Sequence, residues 1–471
     1  MTLISPLFFL FLFLVIFFNY FSPASFRSIL LVLVSFIFIG FYNGESLITL
    51  IVLSFLNFYS AKQIANNRFL YIFTLVSNIA VILLFNFFST TSNTSDFLVF
   101  NLHVNFYNLF IALGLSYYSL QNISYITEVR FNRLQPETNI FHFFLYSSFF
   151  PKAISGPVML PNEFFPQIEK VAVSPSDLII GFNRILLGLF KKMVVADRLV
   201  AAVSSIFDFN SDYAGMTTIV GAYLFTIQMY FDFSGYTDIA LGAAKMLGYD
   251  LKENFDTPFR ATSISEFWRR WHISLISFFT KYIYYTLVFK LRQYKKTAAL
   301  IGIALTFIVS GLWHRIGLTF FCWAMCHVMY LSFELLTKRF RIKLSQQVNK
   351  TVYKLLSVFI VFNLVCFSNI FFRAHSVTHS LHLIKNSFTG FVPVDWLSGF
   401  IAPLAVGGHQ IDEFNFFISI LIAVVVLLFE KRINSFSKTP VFSITYSVVV
   451  LVLIMLFGVF NSGTRFIYMQ F

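Results

Sequence analysis

Two histidines offer most of the chemistry in this sequence. His314 stands between ALIGIALTFIVSGLW and RIGLTFFCWAMC, at the end of an unbroken apolar run. At ~1.5 Å per residue that run covers about 23 Å, short of the ~30 Å hydrocarbon core of a bilayer. Entered from the cytoplasmic side, it places His314 inside the membrane, beyond the midplane. An ionisable residue at such depth normally lines a cavity or pathway, and an uncharged imidazole there can take a proton from an incoming hydroxyl. The other use for such a histidine is structural, bonded to a backbone carbonyl. His272 closes the crowded stretch EFWRRWHISL, residues 266–275. Interfacial anchoring accounts for its tryptophans and arginines, but not for a histidine placed where an apolar run begins.

A third set is HSVTHSLH, which spaces His375, His379 and His382 at i, i+4 and i+7. That spacing lines one helix face and could ligate a metal. Metal-dependent membrane hydroxylases need several such boxes, however, and His103, His142, His272, His314, His327 and His409 are scattered singly. A surface amphipathic helix is the expectation, with no metal. Cys322, Cys326 and Cys366 lie in apolar runs and read as core filler, with no disulfide framework. There is no G-x-S-x-G, phosphate loop or dinucleotide fingerprint, and no Ser-His-Asp constellation. What remains is histidine-dependent chemistry without a covalent protein nucleophile.

The elements that must position these residues are membrane helices. Of the 471 residues, 58% are hydrophobic, 12% charged and 66 are phenylalanine. A soluble chain could not hide that much apolar surface beneath a polar skin. The net charge of +13 fits positive-inside bias and anionic lipid headgroups. No basic run is long enough to serve as a nucleic-acid arm. MTLISPLFFLFLFLVIFFNYF lacks a basic start, the first cation being Arg27, so it reads as a retained first membrane helix and not a cleaved signal. Apolar stretches then recur to about residue 460, giving roughly eleven to thirteen membrane segments, in a single domain over 1–471. Because several are short, re-entrant pieces are expected among them.

Three stretches interrupt this pattern. Residues 149–170 carry four prolines and make a poor spanning helix. Residues 231–272 form the most polar region. Residues 336–354 hold six cations and no acid, and with KLRQYKK (290–296) should face the cytoplasm. The two apolar segments between these basic loops then form a hairpin turning at LWHRIG (312–317). Ser263 and Glu266 have capping-box spacing, predicting a helix from Ile264. On it Trp268 and His272 share a face at i, i+4, while Arg269 and Arg270 point elsewhere.

SYYSLQNISYITEV (116–129), FFPKAISGPV (149–158), YFDFSGYTDIALGAAKMLGY (230–249), NFDTPFRATSISEFWRRWHISL (254–275), SGLWH (310–314), FFRAHS (371–376) and the terminal FIYMQF (466–471) together resemble the membrane-bound O-acyltransferase family, in particular its bacterial alginate O-acetyltransferase-like branch. The resemblance implies an all-α polytopic bundle with re-entrant segments around a transmembrane tunnel. An acyl thioester enters from the cytosol and a hydroxyl acceptor from the other side. It also implies that the family's essential histidine falls on His314 and its supporting histidine on His272. His314 would act as base, with His272 orienting the acyl group or stabilising the oxyanion. Arg269, Arg270 and the 281–296 stretch are candidates for coenzyme A phosphates, or equally for lipid headgroups, with Trp271 and Trp313 as further binding candidates.

The sequence departs from the branch pattern where Arg315 follows His314, at Ala324 and Val328, and where YIYYTLVFK replaces a Pro-Leu-Gly-Gly. These changes leave acceptor and donor open. The expectation is an enzyme of the bacterial cytoplasmic (inner) membrane with no resident cofactor and acetyl-CoA as donor. Its acceptor is an exported polysaccharide or peptidoglycan, reached directly or through an extracytoplasmic esterase-like transferase. The alternatives are a D-alanyl exporter fed by a carrier-protein thioester and, in a different class, a lipid-linked glycan transporter.

Overall fold

The computed structural model describes residues 3–42, 44–90, 96–99, 102–105, 114–169, 172–208, 215–389, 413–437, 443–460 and 466. All but the first residue of the terminal FIYMQF motif, and the start of the apolar stretch at 106–126, lie outside these residues. Among the described residues, the regular structure is helical apart from one short antiparallel ribbon, Asp96–Val99 against Leu102–Asn105.

Six described helices are long and apolar enough to cross a bilayer: Ala24–Phe41, Gly44–Ile64, Arg68–Phe87, Lys296–His314, Leu318–Leu336 and Lys350–Arg373. Pro6–Phe21 and Ile444–Phe457 are apolar but shorter. Much of the remaining apolar sequence forms helices that carry charges. Pro175–Phe190 runs through a wide π turn, Lys191–Ala196, into Asp197–Asp208. It packs against the 31-residue helix Met216–Met246, which takes up much of the polar stretch at 231–272. The two meet backbone to backbone: a Cβ on Gly188 would lie 2.5 Å from the Gly235 carbonyl oxygen, and one on Gly242 2.5 Å from that of Gly181. Small residues allow that approach in a membrane bundle.

The close crossing brings opposite charges together. Lys192 bridges Asp232 and Asp197, both at 2.7 Å. Arg184 reaches Asp238 and Glu253 at 2.6 Å, and Lys191 meets Asp238 at 2.8 Å. Unpaired, these charges would be costly in an apolar medium; paired, they tie the helices together.

Residues 149–170 do not span. They break into Phe150–Ala153 and Pro161–Ile168, both against the bundle interior. Buried Lys152 is held there by the Gln121 side chain and the Tyr146 carbonyl, with Phe164 beneath its ammonium group.

Lys296–His314 and Leu318–Leu336 form the expected hairpin, turning at residues 315–317. The basic stretch after it is an exposed helix, Lys338–Gln347, and not a loop. Lys350–Arg373 then runs back beside the hairpin, setting Phe372 against His314 and Phe320.

Candidate active site

The stretch that carries His272 folds differently from its periodicity. Ser263 caps the first helix as expected, accepting from the Glu266 amide at 3.1 Å. The Glu266 carboxylate, however, takes the amide and hydroxyl of Thr262 at 2.8 and 2.7 Å. Burial pushes this carboxyl upward, but those bonds and Arg270 outweigh it and hold it below the usual glutamate range. The helix then stops at Arg270. Trp271 is extended (φ −110°, ψ 127°) and His272 left-handed (φ 47°, ψ 49°), with a second helix, Ile273–Phe279, starting immediately after. The predicted shared face of Trp268 and His272 therefore does not exist.

The cause is a distant partner. Residues 254–256 pair with this segment like a short strand: the Asp256 amide donates to the Arg270 carbonyl at 2.9 Å and the Ile273 amide to the Asn254 carbonyl at 3.0 Å. The Asn254 side-chain oxygen also accepts the Ser274 amide at 3.1 Å and its hydroxyl at 2.7 Å. It thus satisfies donors of the second helix that its own first turn cannot. The break turns the two rings apart. Trp268 packs on Phe307, Trp323 and His327. His272 meets Phe233 at 4.8 Å and Tyr117 and Trp313 at 6.4 Å between ring centres.

His314 is the last residue of its helix. Asn86, reaching over from Arg68–Thr90, donates to the carbonyls of Leu312 and Trp313 at 3.3 and 3.2 Å, which fixes the terminal turn. The His314 ring sits 4.8 Å from Trp313, 5.4 Å from Phe372 and 5.6 Å from Trp323. Trp313 thus touches both histidines. His272 and His314 line one cavity of about 20 Å³ together with Trp271, Ser310, His327 and Asn369. A space of that size holds about one water molecule. Among the described residues, neither a carboxylate nor a lysine or arginine lines it.

His327 is the residue that its sequence position concealed. The Trp268 indole N–H donates to His327 Nδ1 at 3.3 Å, and an indole can only donate. Nδ1 is therefore an acceptor, so the proton of the neutral ring is on Nε2, which lies 3.1 Å from the Ser368 hydroxyl. That hydroxyl donates in turn to the Val365 carbonyl at 2.9 Å. With both nitrogens engaged, His327 supports the wall and is not free to exchange protons. A Trp and a His 59 residues apart give no local pattern from which this bond could be read.

The other candidates scatter. Arg270 is bound to Glu266 at 2.8 Å and to the Asp256 carbonyl and Thr257 hydroxyl, and so clamps the break from outside the cavity. Arg269 is exposed. Trp271 is buried against Phe255 and Phe267 at the cavity wall. His375 precedes the helix Val377–Asn386 that carries His379 and His382, so the three do not share a helical face. His375 instead meets Asp208 at 3.0 Å, with Arg373 on the same carboxylate. Among the described residues, no group of three His, Cys, Asp or Glu could hold a metal ion.

Fold and site together define a polytopic helical membrane protein with a histidine-lined site enclosed within the bundle. Residues 37–377 match the model of the membrane-bound O-acyltransferase family. The chain belongs to that family and is an acyltransferase. It is 30% identical over 400 residues to the peptidoglycan O-acetyltransferase of Helicobacter pylori, covering 76% of this chain and 73% of that one. It is 30% identical over 336 residues to the probable alginate O-acetylase of Pseudomonas fluorescens, covering 69% of this chain and 65% of the relative. It is also 26% identical over 330 residues to the teichoic acid D-alanyltransferase of Bacillus subtilis, covering 68% and 81%.

Proposed function

We propose that this acyltransferase moves acetyl groups from cytosolic acetyl-CoA to a hydroxyl of an exported polysaccharide or peptidoglycan, directly or through an extracytoplasmic esterase-like partner. In this reading it resides in the bacterial cytoplasmic membrane. The observation that carries the reading is the placement of His314 and His272 on one small enclosed cavity. The acceptor oxygen attacks the thioester carbonyl as His314 takes its proton. The tetrahedral oxyanion is stabilised from the His272 side. As the carbon–sulfur bond breaks, the departing thiolate of coenzyme A recovers the proton from His314. A new ester and a free thiol result, and the histidine is regenerated.

Two features favour acetyl over D-alanyl. The cavity is small, and no carboxylate lines it among the described residues, whereas an alanyl group brings an ammonium that needs an anionic or carbonyl partner when desolvated. The relatives named for alginate and peptidoglycan O-acetylation point the same way.

The test is thioester turnover in proteoliposomes with labelled acetyl-CoA. Wild-type protein should release coenzyme A and form ester. His314→Gln and His314→Ala should lose about 10²–10⁴-fold while inserting normally. A glycan transporter would consume no thioester, and a well-folded His314→Gln protein with substantial turnover would remove His314 from the mechanism.

A further inference from the structure

Proton transfer and oxyanion stabilisation leave the polar side chains of Ser310 and Asn369 on the cavity wall without a task. Asn369, buried on Lys350–Arg373, lines the same cavity as His314. Its orientation is set by its neighbours. The Thr226 hydroxyl donates its single proton to the Ala222 carbonyl at 2.9 Å, so its oxygen can only accept from Asn369, whose Nδ2 lies at 3.1 Å. The nitrogen edge of the amide is thereby fixed on Thr226. The carbonyl oxygen Oδ1 is the other edge, and among the described residues it receives no hydrogen bond. His327, a polar neighbour on that wall, is committed to Trp268 and Ser368. Oδ1 is thus an acceptor facing a cavity into which an acceptor hydroxyl must come.

The attacking hydroxyl has one proton, and it goes to His314. It cannot also satisfy Asn369. An acceptor on the cavity wall that is left empty when water is displaced costs free energy, so a substrate that brings a second donor close to the first is favoured. We propose that Asn369 is a specificity-determining residue whose Oδ1 holds a second hydroxyl of the acceptor, adjacent to the one being acetylated. The acceptor class is then a 1,2-diol, as on a sugar ring with two neighbouring free hydroxyls, and not an isolated alcohol. A cavity of about 20 Å³ has room for one hydroxyl in place of a water, so the ring that carries it stays outside. The second hydroxyl also displaces the water that would otherwise occupy this space and compete by hydrolysing the thioester.

This inference rests on the acetyl-transfer reading, and its test separates the two. Full-length protein in proteoliposomes is supplied with labelled acetyl-CoA and either cis-cyclohexane-1,2-diol or cyclohexanol, and kcat/KM for ester formation is measured. Wild-type protein should prefer the diol roughly tenfold beyond the statistical factor of about two. Asn369→Leu should abolish the preference by lowering the diol rate more than the cyclohexanol rate. Asn369→Asp should keep it, because a carboxyl group kept neutral in this apolar wall can donate to Thr226 and still present a carbonyl. If Asn369→Leu does not fold, Asn369→Ser, which lacks the carbonyl, takes its place. Equal loss on both alcohols, loss of the preference in folded Asn369→Asp, or no wild-type preference overturns the proposal. So does acetyl-CoA hydrolysis without transfer to either alcohol. No consumption of acetyl-CoA by wild type overturns the reading beneath it.

Discussion

Asn254 is the residue whose loss should separate the fold of the bundle from the function of its site. It is fully buried and holds the break before Ile273 through three bonds: its carbonyl to the Ile273 amide, and its side-chain oxygen to the Ser274 amide and hydroxyl. Asn254→Leu leaves the backbone bond but removes both side-chain bonds. The buried Ser274 amide then lacks its acceptor, at about 1–3 kcal/mol. The hydroxyl can turn elsewhere, so the sum stays at about 1–3 kcal/mol. Left-handed backbone at a non-glycine residue such as His272 adds about 1–2 kcal/mol of strain that only surrounding structure can hold. With the clamp gone, His272 should relax into continuous helix and rotate away from the cavity. Turnover per folded molecule should fall at least tenfold at temperatures well below thermal unfolding. Asn254→Asp retains the accepting oxygen at a helix start, where negative charge is favoured, and should keep most activity. The assays are detergent-solubilised thermal stability by fluorescence-detected size exclusion and initial rates of coenzyme A release. Unchanged turnover in folded Asn254→Leu protein would refute the claim that this clamp presents His272.

Three further outcomes are expected. In a variant lacking the three native cysteines, cysteines replacing the exposed residues Lys295 and Gln346 should both resist an impermeant maleimide in intact cells and label after lysis, because short basic segments stay cytoplasmic; labelling of either in intact cells sinks the assigned direction of the hairpin. Glu266 is held below its ordinary range once Thr262 and Arg270 outweigh burial, so its contribution is present above about pH 4.3, the usual glutamate value, and lost as pH falls through the lowered one. The stability gap between wild type and Glu266→Gln should therefore close on acidification, and a constant gap from pH 6 to 3 counts against the assignment. Triple alanine substitution of His375, His379 and His382 should cost only modest activity, whereas stoichiometric iron or zinc lost together with turnover would make that cluster a metal site.

Much of this was legible because helix in a membrane is read from length and hydropathy. Lys296–His314 and its hairpin partner followed from two basic flanks and an apolar interval, and the position of His314 followed with them. The break at His272 was not legible. Its cause is Asn254, 18 residues earlier, whose bonds to Ile273 and Ser274 override a local pattern that favours continuous helix. The same applies to His327, whose tautomer depends on Trp268 and Ser368 from two other helices. The count of spans was blurred for another reason. Hydropathy cannot tell a lipid-facing helix from one whose charges are neutralised by a neighbour, and Pro175–Phe190 with Met216–Met246 is the latter.

That pairing also bears on the chemistry. Met216–Met246 carries Asp232 and Phe233 side by side, and successive residues on a helix project about 100° apart. Asp232 turns to Lys192 at 2.7 Å, while Phe233 turns to His272 at 4.8 Å between ring centres. One helix thus turns the Asp232 ion pair away from the histidine and presents an aromatic edge to it. In a medium of low dielectric, a carboxylate in the place of Phe233 would hold His272 as imidazolium. In the proposed mechanism, a fixed positive charge there would oppose protonation of His314 as it takes the acceptor's proton. Keeping the charges that knit the bundle together apart from the cavity lets the same few helices provide both a stable polar interior and the uncharged cavity wall on which the proposed mechanism depends.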